Sequence, residues 1–135
     1  MVSLKTLYYD VAGVVKGVCK NTYDQDRPTS VKERMDDYLV ISLPSSIRNN
    51  ETDPGGSYND FTTTLMLEVY VRDLMSSSNP VGVNIKMMDE KVSRLLSCFP
   101  IDTDKIFVTR PEIVMQDSDG SGFHVTFIRA RLRTK

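Results

Sequence analysis

Arg129, Arg131, Arg133 and Lys135 recur at every second position near the C-terminus. In an extended backbone, side chains two apart project from one face. The four cations continue the line of Phe123, Val125 and Phe127, so this face turns from apolar to basic along the strand. Such a face ends in solvent, or it meets an acidic protein surface or the phosphates of DNA. No aromatic residue interleaves with the arginines, so stacking on bases is not expected. Arg129, Arg131 and Arg133 are therefore candidate contact residues. Arg48 and Tyr58 join them from a long loop, and Tyr70 and Arg72 from a long strand.

Other chemistry-bearing residues have plainer readings. Asp117 to Gly122, DSDGSG, has carboxylates at a calcium-like spacing. An EF-hand loop, however, places Gly at its sixth position and Glu at its twelfth. Here Gly comes fourth and strand residues follow, so a hairpin turn is expected and no metal site. His124 is the only histidine, beside that turn. Neither Cys19 nor Cys98 lies in a nucleophile elbow, and no P-loop, G-x-G-x-x-G, H-E-x-x-H or C-x-x-C is present. The two cysteines fall in apolar helical patterns and read as buried thiols. Asp24/Asp26, Asp36/Asp37 and Asp102/Asp104 lie in loops or at element ends, as solubility and capping groups would. No enzyme activity and no cofactor are expected.

Composition sets the frame for these residues. A chain of 135 residues with 40% hydrophobic and 26% charged residues is read as one globular domain with a core of its own. A net charge of -1 gives no whole-chain attraction to nucleic acid or anionic membrane. The N-terminus, MVSLKTLYYDVAG, lacks a signal-peptide pattern, and no apolar run reaches the roughly 18–20 residues that span a bilayer. Cytosolic synthesis and no membrane contact are the expectations.

The positioning elements show in the periodicity. Phe61 to Leu74, FTTTLMLEVYVRDL, alternates without a break, with Phe61, Thr63, Leu65, Leu67, Val69 and Val71 on one face. That predicts a strand of unusual length. Ser3 to Lys20 carries the helical stripe Leu4, Leu7, Tyr8, Val11, Val14, Val15, Val18. Its Gly13 and Gly17 are read as allowing close packing on a sheet. Asn21 to Asp36 is turn-rich, with a helical turn expected over Val31 to Met35. Asp37 to Leu43 reads as a buried strand, and Pro44 to Asp60 as a long loop that is either plain surface or an arm for a partner. Ile85, Met88, Val92, Leu95, Leu96 and Phe99 form a second helical stripe, capped by Ser78, Asn79 or Asn84 and stopped by Pro100. Lys105 to Gln116 is a strand with an edge or bulge signal at Pro111, and Phe123 to Arg133 is the last strand. The methionines Met66, Met75, Met87, Met88 and Met115 are read as core filling, with an interface as the alternative.

The order α-β-β-α-β-β predicts an α+β domain over residues 1–135. Its simplest packing is a largely antiparallel four-stranded sheet with both helices on one face. This pattern resembles the tail-terminator, or tail-completion, proteins of long-tailed phages. The resemblance rests on LKTLYYDVAGVVKGV, DYLVISL, the loop before FTTTLMLEVYVRD, IKMMDEKVSRLLSCF and EIVMQDSDGSGFHVTFIRARL. It implies a non-catalytic virion protein, assembled in the host cytoplasm into a ring of typically six subunits that caps the tail tube and joins it to the head connector. DNA would pass through the lumen. Related neck and head-completion proteins share the pattern. The alternative from another class is a small cellular binding module that oligomerises through strand edges and holds an acidic ligand on the basic strand.

Overall fold

The computed structural model describes residues 4–19, 21–24, 36–44, 48–49, 61–74, 83–120 and 122–134. The expected turn at Val31 to Met35, the alternative caps Ser78 and Asn79, Met75, Tyr58, Lys135 and most of the 44–60 loop lie outside them.

The chain runs α1 (Leu4–Val15), β1 (Thr22–Asp24), β2 (Asp37–Ser42), β3 (Arg48–Asn49), β4 (Phe61–Arg72), α2 (Ile85–Leu96), β5 (Ile101–Asp102), β6 (Ile106–Ser118) and β7 (Phe123–Thr134). All seven strands form one sheet in the order β1-β2-β4-β7-β6-β5, with β3 also pairing β4. β1 and β2 are parallel, and every other pair is antiparallel. The expected four-stranded sheet is therefore incorrect in size and in pairing. The missed strands β1, β3 and β5 are two or three residues long, too short to show a period of two. Each holds its place through a longer neighbour.

The long strand is real. β4 has 12 residues, all but the first paired with β7 from Thr62↔Arg133 to Arg72↔Phe123. Its Leu65, Leu67, Val69 and Val71 are buried on one face, opposite Ala130, Ile128, Thr126 and His124 of β7. Leu7, Tyr8, Val11 and Val15 of α1, and Met88, Val92 and Leu95 of α2, join the same cluster. Fully burying such a side chain contributes about 1.5–3 kcal/mol, so this face dominates the stability of the domain.

Local signals set the helix ends. Asn84 caps α2, its Oδ1 accepting the Met87 N–H at 3.2 Å. α1 stops at Val15, short of the expected Lys20, and turns through residues 16–18, where Val18 N–H donates to the Val15 carbonyl at 3.0 Å. Val18 and Cys19 stay buried, so the apolar stripe continues beyond the helix. Gly13 and Gly17 do not pack on the sheet as expected: both are exposed, and a Cβ at either would meet nothing. The β6–β7 turn does need glycine, with φ of 79° at Gly120 and 96° at Gly122.

Candidate assembly surface

The sheet face away from the helices changes character along its length. At one end Tyr38 stacks on Tyr70 with ring centroids 4.4 Å apart, and meets Tyr23 and Phe123 edge-on at 5.9 and 5.4 Å. Val40 and Val125 complete this second buried cluster, with Phe127 against it. The Arg72 guanidinium lies 4.8 Å from the centre of the Phe123 ring, and the Tyr70 hydroxyl donates to Glu68 at 2.9 Å. Tyr70 and Arg72, both candidate contact residues, thus belong to the wall of a small core.

Toward the other end the same face becomes cationic. Arg129, Arg131 and Arg133 are all exposed there, following Phe127 at the spacing of two that a strand imposes. Their settings differ. Arg129 Nε donates to Glu112 at 2.8 Å across the β6–β7 pair, and Nη2 reaches the same oxygen, so this charge is answered within the chain. Arg133 lies over the Phe107 ring at 5.0 Å, a cation–π contact, and forms no ion pair among the described residues. Arg131 and Arg110 form no ion pair among the described residues. Arg110 sits in the irregularity between Thr109 and Glu112 with φ of 57°, an uncommon backbone for arginine. Arg110, Arg131 and Arg133, with Thr62, Phe107, Thr109 and Thr134, line an open recess of about 450 Å³. Sequence reasoning missed Arg110, although Pro111 marked the bulge that turns it. Arg48 lies in β3 paired with Thr62, and its side chain is outside the description.

β6 supplies the second feature of the surface. β5 covers only Phe107 and Val108 on its outer side, so among the described residues the edge from Thr109 to Ser118 is open. Ile113, Val114 and Met115 stand on that edge at 50%, 46% and 50% exposure. A register shift between Ile113 and Met115 makes Val114 the extra residue, and side chains on both sides of the shift stay wet. Open edges with exposed apolar side chains are where strands from other chains pair. Periodicity alone could not find this, because three consecutive apolar residues read as buried.

Ile113 also borders a groove of about 410 Å³ between α2 and the β6–β7 pair. Val83, Ile85, Met88 and Val92 form one wall, with Asp89, Asp117 and His124 at the polar positions. His124 Nδ1 meets the buried Asp73 carboxylate at 2.5 Å. No nucleophilic side chain is hydrogen-bonded to His124 among the described residues, and the Asp73 carboxylate orients its ring.

Of the two cysteines expected to be buried, Cys19 is buried and Cys98 only partly so. Cys19 and Cys98 are both free. Burial, and then the negative charge of Asp37, push the Cys19 thiol up to about 12. Partial burial raises Cys98 as well. Neither is an activated thiolate. Asp37, expected as a solubility group, is buried and paired with Lys91 Nζ at 3.0 Å, which ties α2 to the start of β2. Among the described residues no group of three or more His, Cys, Asp or Glu could hold a metal, and no helix is long and apolar enough to cross a membrane.

No protein-family model and no curated protein sequence matches this chain. Solved structures do. One protein, titled only by an identifier, superposes with a TM-score of 0.63 at 11% identity, covering 100% of this chain and 97% of its own. At that identity the likeness shows the fold alone. A chain from a structure titled as the virion of a native gene transfer agent particle superposes with a TM-score of 0.48 at 10% identity, covering 95% of this chain and 90% of its own.

Proposed function

We propose that this protein is a non-catalytic structural component of a phage-like virion. In this reading it assembles with copies of itself into a ring that ends a tail tube and joins it to the head. The observation that carries the self-assembly part is the open β6 edge, where half-exposed Ile113, Val114 and Met115 accompany backbone groups with no strand partner among the described residues. A domain that leaves such an edge uncovered gains by pairing it with another chain. The tail-end role and the six-fold ring come from the sequence resemblance. Tube and connector proteins would be the further partners, with DNA in the lumen.

The test is absolute mass in solution, by light scattering behind a sizing column, across a wide concentration range. The expected result is a discrete species near six times the 15.3 kDa chain, at least at high concentration. Replacing Ile113 and Met115 by lysine should return it to monomer with the fold intact. A wild-type chain that stays monomeric throughout would sink the self-assembly reading.

A further inference from the structure

The hairpin of β6 and β7 is charged oppositely at its two ends. At the turn end, Asp117 is exposed on the rim of the groove, and Asp89 of α2 is exposed across from it. At the other end are Arg110, Arg131 and Arg133. Val125 is the partner of Asp117, and Arg131 and Arg133 lie six and eight residues beyond Val125 on β7, so acid and arginines stand about 20–26 Å apart along the strand at about 3.3 Å per residue. That separation exceeds the roughly 8–10 Å over which exposed charges interact in physiological salt. The acids at the tip therefore cannot neutralise the arginines of their own chain.

We infer that the acidic tip of one subunit, Asp89 and Asp117, docks on the arginine end, Arg110, Arg131 and Arg133, of a second copy of this chain. The inference rests on the self-assembly reading and names its contact. Three observations favour a second copy over a polyanion. The chain carries both signs and is nearly neutral at -1. Arg129, nearest the middle of the hairpin, is already answered by Glu112. The acidic tip adjoins the open apolar edge at Ile113, so charge and apolar contact would fall within one interface. The two patches are different surfaces of the subunit, one at the turn end of the hairpin and the other at its far end. Contacts between unlike surfaces are heterologous, and they close into rings or run on as filaments.

The experiment uses two full-length variants, Asp89→Lys/Asp117→Lys and Arg131→Glu/Arg133→Glu. Neutral versions, Asp89→Asn/Asp117→Asn and Arg131→Gln/Arg133→Gln, serve if a reversal disturbs folding. Each reversed variant alone should need at least about tenfold more protein to assemble. An equimolar mixture should assemble near the wild-type concentration, because each tip then finds a complementary end. Assembly of either reversed variant at the wild-type concentration would overturn the inference. So would a mixture that fails to recover while both variants stay folded by circular dichroism. If the arginine variant assembles normally but loses retention on DNA, the patch is a phosphate site and the docking is wrong. A wild-type chain that never assembles removes the self-assembly reading itself, an outcome distinct from these.

Discussion

Lys91→Met is the most informative single change in the domain. Lys91 Nζ lies 3.0 Å from Asp37, with the carboxylate side chain 5% exposed and the lysine 16%. At an effective dielectric of about 20, two unit charges at that distance attract by about 5 kcal/mol. Desolvation of both groups offsets much of this in the intact pair. Methionine keeps the apolar stem but removes the ammonium, and leaves the carboxylate buried without its cation. The expected cost is about 2–4 kcal/mol, below the strongest buried pairs because Lys91 keeps some water. Urea unfolding at neutral pH measures it directly. Combining Lys91→Met with Asp37→Asn should cost less than the sum of the two, with a coupling of about 1–3 kcal/mol. If Lys91→Met costs under about 1 kcal/mol, the pair behaves as a surface contact and the reasoning from burial fails.

Two further expectations concern the thiol and the cap. The Cys19 thiol titrates near 12 in the fold and from 9.0 without it, so above pH 9 the unfolded chain loses the proton first. Stability should then fall as pH rises toward 12, by up to about 1.4 kcal/mol per pH unit, and Cys19→Ala should remove that part of the slope in paired urea titrations at pH 8 and 10. Asn84→Ala removes the acceptor for Met87 N–H and should cost about 1 kcal/mol, read from the same titrations, whereas Asn84→Ser should restore most of it.

The elements whose own residues carry a period were legible in the sequence. β4 and β7 alternate because each has one face under the helices, and α2 shows its stripe because Met88, Val92 and Leu95 recur at helical spacing. The DSDGSG turn was readable from its glycines, which take up positive φ. What did not show was everything whose stability comes from elsewhere in the chain. Thr22 to Asp24 has no strand pattern and is held by its ladder to β2. Tyr23, Tyr38, Tyr70 and Phe123 are far apart in the chain, and only the order of four strands makes them one cluster. The candidate surface was half legible. The spacing of Arg129, Arg131 and Arg133 placed them on one face, but nothing in it distinguished Arg129, answered by Glu112, from its neighbours. Arg110 enters the patch only because the bulge beside Pro111 turns it there.

The ladder between β4 and β7 has a mechanical meaning. Its eleven register pairs run from Thr62↔Arg133 to Arg72↔Phe123, and antiparallel ladder bonds lie across the strands. Tension applied at Thr62 and Phe123, at opposite ends of the sheet, would shear the strands and load every rung at once. Tension applied at Thr62 and Arg133, on one rung, would part them like a zip, one rung at a time. The fold is therefore stiff along its strands and weak at a single end. Pulling through those two pairs of sites with an optical trap should give a clearly higher rupture force for the first, and equal forces would contradict this account.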